Sequence, residues 1–443
     1  MTLKIHAVGG FEAIGRNMTC IEYDNEAVIL DMGLYLDKYI SLQDNIKNPT
    51  TKDLMREDAV PDLTTIKHLT KKVKAIVLSH AHLDHIGAVP WLAKKFNCPI
   101  IGTPYTIEIV KSILKDNKKK LKNELITLNS NSIYPLSKKL SVELIHVTHS
   151  LPQAAMINIK TPKGNIVYTG DYKFDYNPTI GKRTNKRRLK QIAKEGVIAV
   201  MPDSTRAGEE RKTFSETVAK QMLKDVLLDM ETKGQGIILT TFSSHIARLK
   251  SMVELTRELG RTPVFVGRSL KKYIDAAEKL KIVNLSKKAI MIPSARFAKK
   301  QLTKMNRERE KYVLIMTGNQ GEPEAMLTRV SRDEMPFSIL PEDFIVFSCI
   351  TIPTPMIQAN RRMLEKRLHN KKARIFKEVH VSGHASREDH RDLIKILKPQ
   401  NIIPCHGDMQ KRASLADLAH EMGYKINKQV YLLQNGQNVE LKV

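Results

Sequence analysis

Apolar and β-branched residues in the first 200 positions fall in short runs bounded by turn formers. Leu3–Val8, Met18–Tyr23, Ala27–Asp31, Ala75–Ser79, Val142–Thr148, Met156–Lys160 and Ile166–Gly170 read as strands. After Gly87, Ala88 to Phe96 reads as a helix, while residues 35–62 are polar and irregular and read as a long loop or lid near a site. The pattern changes near residue 205. Ser215 is placed to cap a helix whose apolar residues Val218, Met222, Leu223, Val226, Leu227 and Met230 recur at helical spacing. Beyond it strands and helices alternate: Gly236–Phe242, a helix from Ser244 to Gly260, Pro263–Gly267, Leu270–Leu280, Val313–Gly318, a helix from Glu322, Phe344–Ser348 and Pro355–His369. Such alternation implies a parallel sheet covered on both faces. Two more strand-helix steps follow, Glu378–Ser382 into Arg387–Leu397 and Ile402–Cys405 into Gln410–Met422. The expected organisation is α/β throughout: a first domain over 1–204, a second inserted over 205–374, and the first resuming over 375–443.

Composition narrows the class of protein. The chain has 443 residues, 42% hydrophobic, with no apolar run long enough to span a bilayer and no signal-peptide pattern, so no membrane partner is expected. Cys20, Cys98, Cys349 and Cys405 lie far apart with no C-x-x-C pair, which points to reduced thiols and a cytoplasmic location. A net charge of +26, from 73 Lys and Arg against 47 Asp and Glu, favours a polyanionic partner such as nucleic acid. The dense cluster Lys182–Lys190 is a candidate for phosphate-backbone contact, whereas Asn117–Lys122 reads as a solvated face.

The candidate chemistry lies in His80-Ala-His82-Leu-Asp84-His85. It follows the buried strand run Lys74–Ser79, so the two histidines two residues apart point to one side and the next two ligand types sit at the turn. Strand carboxyl ends are where ligands gather in α/β sheets. His149, Asp171 and His406 stand at three other expected strand ends. A dinuclear site needs such a set.

The order Asp31, His80–His85, His149, Asp171 resembles the metallo-β-lactamase superfamily, whose fold is a four-layered αββα sandwich with metals at one edge. Asp203-Ser-Thr, Ser382-Gly-His384-Ala and Pro404-Cys-His406-Gly resemble the extra motifs of its nucleic-acid-cleaving β-CASP branch. Within that branch, Gly9–Asn17, Thr317–Pro323 and His380–Ala385 resemble the ribonuclease J family, over nearly the whole chain. Bacterial members carry a further C-terminal domain, and a chain ending soon after His406 looks like the short archaeal form.

The resemblance implies one zinc ion on His80, His82 and His149, another on Asp84, His85 and His406, and Asp171 bridging them, with Mn²⁺ or Mg²⁺ as substitutes. Asp31 would support a ligand histidine. Two ions about 3.5–4 Å apart can clamp an in-line phosphoryl displacement. His384 is expected to be the general acid, oriented by Asp203, in preference to a mere phosphate contact. His380, Val381, Ser382, Gly383 and His384 are assigned to substrate phosphates near an RNA 5′ end. Ser243, Ser244 and His245 form a second phosphate candidate that reads equally well as a helix cap. No role is assigned to His6, His68, His146, His369, His390 or His420.

The expected function is 5′→3′ exonuclease action on single-stranded RNA bearing a 5′-monophosphate, releasing 5′-mononucleotides, with endonuclease action by the same site and a homodimer both admitted. The rivals are a zinc thioesterase or lactamase, a DNA-repair nuclease, a polyadenylation-factor-type endonuclease and a non-catalytic RNA-binding relative. The last would have lost ligands, and every expected ligand is present here.

Overall fold

The computed structural model describes residues 2–46 and 48–442. The chain forms two compact units interleaved along the sequence: residues 1–176, 182–213 and 383–443 in one, residues 177–181 and 214–382 in the other.

The first unit contains two sheets. One has seven strands in the order Asn438–Leu441, Leu3–Gly9, Met18–Tyr23, Glu26–Leu30, Val73–Leu78, Ile100–Gly102, Leu125–Thr127. The other has six, in the order Asn401–Ile402, Val197–Met201, Gly164–Tyr168, Ala155–Thr161, Ser141–His146, Ser132–Pro135. Alternation along each strand sends one set of side chains inward, and the two inner sets form one core. Leu3, Ile5, Ile21 and Val28 of the first sheet share a buried cluster with Val142, Leu144, Ile157 and Ile166 of the second. The opposite face of the second sheet is covered by helices. There Ile145, Met156, Val167 and Val200 meet Leu189 and Ile192 of the helix Lys186–Glu195, and Leu393, Ile394 and Leu397 of the helix Arg387–Leu397.

The second unit is a six-stranded sheet, parallel in every pairing, in the order Ile290–Ile292, Thr262–Val266, Tyr312–Met316, Ile237–Thr240, Phe344–Phe347, Arg374–Phe376. Its four central strands are almost wholly buried, and their continuous apolar runs suit strands covered on both faces. Ser215 caps the helix Glu216–Leu227 as the sequence predicts.

Several expected elements differ. Residues 35–62 are not a loop throughout: Leu36–Asn45 and Thr51–Arg56 are helices, while Lys47 between them lies outside the described residues. Thr50 and Asp53 form a reciprocal capping box, a signal that was present in the sequence. The helix expected over 88–96 is broken into Val89–Leu92 and a 3₁₀ turn, preceded by the short helix Leu83–Ile86. Glu378–Ser382 is not a strand. The last strand of the parallel sheet is Arg374–Phe376, Glu378 turns to φ 59°, and the Val379 carbonyl accepts side-chain bonds from Arg248 and Ser348 instead of a ladder bond. Of the run 402–405 only Ile402 belongs to a strand, Asn401–Ile402, because Pro404 has no N–H and Cys405 makes a single bridge to Asp203. The helix expected from Glu322 starts at Met326.

One buried ion pair in the second unit is suited to a stability test. Arg248 is 0% exposed and forks onto Glu216 at 2.5 and 2.9 Å, while also donating to Ser348 and Val379. Glu216→Gln leaves that guanidinium under-compensated and is expected to cost about 3 kcal/mol in denaturant unfolding of the full chain. Glu254→Gln, which breaks the half-exposed pair with Lys220 at 2.7 Å, should cost less than about 1 kcal/mol. Equal losses would refute the assignment.

Candidate active site

Strand ends of the first unit deliver the side chains. The strand Val73–Leu78 stops just before His80, and His82 is the N-cap of the helix Leu83–Ile86 that carries Asp84 and His85. His149 follows the strand Ser141–His146, and Asp171 follows Gly164–Tyr168 through Gly170, whose φ of +51° turns the chain. His406 follows the last strand of that sheet. Asp171 is 2% exposed, and His80, His85 and His406 are buried with it.

These donors form two closed rings. In the first, His80 Nε2 lies 3.1 Å from His82 Nδ1, which lies 3.2 Å from His149 Nε2. Asp171 Oδ2 completes it, 3.6 Å from His149 Nε2 and 3.4 Å from His80 Nε2. In the second, Asp171 Oδ1 lies 3.2 Å from His85 Nε2 and 3.4 Å from His406 Nε2, and Asp84 Oδ2 lies 3.6 and 3.7 Å from the same nitrogens. A divalent ion held tetrahedrally by bonds of about 2.0–2.1 Å needs donors roughly 3.3 Å apart. Both rings fit. Asp171 Oδ1 and His406 Nε2 are buried without a hydrogen-bond partner, which a cation would satisfy.

The far ring nitrogens of four of these histidines, His80, His85, His149 and His406, are held. Asp31, 0% exposed, accepts His85 Nδ1 at 2.7 Å together with the Ser79 amide and hydroxyl at 2.7 and 2.8 Å. The Ser79 hydroxyl also lies 3.0 Å from His80 Nδ1. The Gly383 carbonyl is 2.8 Å from His149 Nδ1, and any Cβ at Gly383 would meet that ring at 2.9 Å. Asn17 holds three groups: its Oδ1 is 2.7 Å from His406 Nδ1, and its Nδ2 donates to the Asp84 carbonyl at 3.0 Å and lies 3.2 Å from His85 Nε2. Asn17 and Ser79 were missed by sequence reasoning. Asn17 closes the segment Gly9–Asn17, which carries the family resemblance without a role for this residue, and nothing in its local spacing points to a histidine 389 residues away.

His384 stands beside the rings, its Nδ1 2.8 Å from Asp203 Oδ2 and 3.9 Å from Asp171 Oδ2. Asp203 is 1% exposed, and its other oxygen accepts the Thr205 amide and hydroxyl. Burial works against the imidazolium, but the Asp203 and Asp171 carboxylates outweigh it and push the His384 pKa up to about 9.

The remaining predicted residues lie in the second unit. Ser243 shares a 2.8 Å bond with the Ser269 hydroxyl, and His245 caps its helix by accepting the Arg248 amide. His380 Nδ1 is 3.5 Å from Arg248 Nη1, Val381 is buried and Ser382 half-buried, whereas Gly383 and His384 belong to the first unit. His6, Glu22 and His68 also bring donor atoms together, but there Glu22 is already shared by His6 and Lys72.

Comparison with known proteins accounts for this arrangement. Residues 13–193 match the metallo-beta-lactamase superfamily, 234–365 the ribonuclease J beta-CASP domain, and 369–431 the Zn-dependent metallo-hydrolase RNA specificity domain. The fold is therefore that of a metallo-β-lactamase-type hydrolase carrying a β-CASP domain. Ribonuclease J of Methanocaldococcus jannaschii is 44% identical over 99% of this chain and 98% of its own length, and that of Pyrococcus abyssi 44% identical over 99% and 97%. The chain belongs to the ribonuclease J family. Ribonuclease J 1 of Streptococcus pyogenes is 29% identical over 99% of this chain and 74% of its own length. A crystal structure of a protein of unknown function from Enterococcus faecalis shares the fold, with a TM-score of 0.66 and 16% identity over 100% of both chains. Among the described residues no helix is long and apolar enough to cross a membrane.

Since Asn17 touches Asp84, His85 and His406, Asn17→Ala should weaken one divalent ion about 10- to 100-fold and leave the other nearly unchanged. Chelator competition with metal counting measures both affinities. Two unchanged affinities would remove Asn17 from the support of the second ring.

Proposed function

We propose that this chain is a zinc-dependent ribonuclease acting 5′→3′ on single-stranded RNA with a 5′-monophosphate, releasing 5′-mononucleotides. The observation that carries the reading is the shared Asp171: one buried carboxylate with each oxygen in a separate ring of donors, and a histidine-aspartate pair beside them. His80, His82 and His149 would hold one ion and Asp84, His85 and His406 the other, with Asp171 contributing one oxygen to each ring. Imidazole and carboxylate donors in tetrahedral spacing favour Zn²⁺, with Mn²⁺ or Mg²⁺ as substitutes. A bound pair supplies Lewis acidity toward the scissile phosphodiester.

The protein's own groups do the rest. The bond to Asp203 fixes the His384 ring at Nδ1, which leaves Nε2 to donate a proton to the departing 3′-oxygen. Asp203 then stabilises the ring's orientation through both protonation states. Asp31, Ser79 and Asn17 keep the ligands aligned without touching substrate. Within the second unit, His380, Val381 and Ser382 and the helix start Ser243–His245 are the phosphate-receiving groups in this reading, with 205–374 as the inserted substrate domain. The division of compact units at 213/214 and 382/383 supports that insertion. Four buried free cysteines support a cytoplasmic setting, and a homodimer is testable by sedimentation equilibrium.

Asp171→Ala should abolish RNA cleavage and lower the bound-metal count. His384→Ala should keep the metal and lower kcat by about 10²–10⁴. Undiminished cleavage in either variant refutes its role. Internally labelled RNA prepared with a 5′-monophosphate or a 5′-triphosphate, resolved against time, tests the polarity. Mononucleotides from the outset, faster with the monophosphate, are expected. Internal fragments indifferent to the 5′ group would make the enzyme an endonuclease.

A further inference from the structure

The basic cluster singled out in the sequence continues into a built feature of the first unit. A groove of about 600 Å³ has Lys186, Lys190 and Lys194 on one wall and Asp392, Lys395 and Lys398 on the other. The first three belong to the helix Lys186–Glu195 and the next two to Arg387–Leu397, with Lys398 as the C-cap. Lys190, Lys194, Lys395 and Lys398 are exposed, and none pairs with an acid among the described residues. Asp392, the one acid lining the groove, is already neutralised by Lys212 at 2.9 Å.

Both helices begin at the edge of the site. Thr184, just ahead of the first helix, accepts the Thr148 amide beside His149, and the second starts after Ser386, two residues past His384. Each runs away from the metal ligands, and the strand that follows returns, to Asp203 in one case and His406 in the other. The groove therefore leads outward from the site.

Lys186, Lys190 and Lys194 are four residues apart, so their charges line one helix face at steps of about 6 Å, a spacing an unstacked single strand can match with successive phosphates. Like charges so placed repel one another, and a polyanion removes the repulsion. At the head of the row stands an aromatic group. Tyr176 is 45% exposed, five residues past Asp171, and its hydroxyl accepts a 2.7 Å bond from Lys186. An exposed ring beside a basic track is the combination that binds single strands without sequence preference.

We propose that this groove is a binding track for single-stranded RNA outside the cleavage site, its phosphates along the lysines and a base on Tyr176. The proposal rests on the ribonuclease reading and adds a surface that distinguishes long substrates from short ones.

The test compares initial rates on 5′-monophosphorylated RNA of twenty and of four nucleotides, with the metal-loaded full chain, across a KCl series. The variants are K194E/K395E/K398E and its charge-neutral counterpart K194Q/K395Q/K398Q. For the 20-mer, the KM of the Glu variant should rise at least about tenfold, with the Gln variant between it and wild type. The slope of log KM against log salt should flatten by about 2, the share of three phosphate contacts on a single strand. Kinetics on the 4-mer should stay within about twofold, and Tyr176→Ala, but not Tyr176→Phe, should raise the 20-mer KM. An unchanged 20-mer KM in both triple variants overturns the track and leaves the lysines to an acidic protein partner. Equal losses on both lengths overturn it too, placing the effect on folding or the cleavage site. Failure of wild type to cut either RNA would instead refute the ribonuclease reading itself.

Discussion

One buried carboxylate organises this protein. Asp171 sits where water cannot solvate its charge, with Oδ2 turned to His80 and His149 and Oδ1 turned to His85 and His406. An isolated carboxylate in such a place would be expensive or would take up a proton. Here burial does act to raise its pKa, yet His85, His406, His384 and His80 outweigh it and hold Asp171 well below the usual carboxylate range. Four histidines reach it from three separate chain segments, so the ends of strands from both sheets meet at one edge of the first unit.

Rigidity comes from the layer behind the ligands. Asp31 and His406 both adopt positive φ, 59° and 55°, a conformation that costs an ordinary residue some free energy. Both are over-determined. Asp31 is tied by the Ser79 amide and hydroxyl and by His85, and His406 by the Gly10 carbonyl through its amide and by Asn17 through its ring. Strain held in this way keeps the donors spaced for an ion before any ion arrives, so binding energy need not be used to gather them.

Reading the chain for short-range pattern failed in recognisable places. The helix Leu36–Asn45 has no side-chain cap, and Leu42 is its one buried residue among those described, so no start signal marks it in the sequence. Val379 and Val381 look like a strand because they alternate with polar residues, but Arg248 captures the backbone first. Asn17 carries no local signal of its contact with His406. For Val379 and Asn17 the deciding partner is far away in sequence, and no local pattern encodes it.

Within those limits the sequence alone determined a good deal. The hexapeptide His80–His85 specifies that two pairs of donor side chains leave one strand end together, since their spacing is set by backbone geometry over six residues. Alternation of strands and helices specifies the parallel sheet of the second unit for the same local reason. The tertiary structure decided which atoms face which. It put His82 in the first ring through Nδ1 rather than Nε2, divided the oxygens of Asp171 between two rings, and aimed His384 by Asp203. It also drew Lys395 and Lys398 opposite a lysine row some 200 residues earlier. Ring orientation and the meeting of distant strand ends depend on packing across the whole unit, and packing is not written in any single stretch of chain.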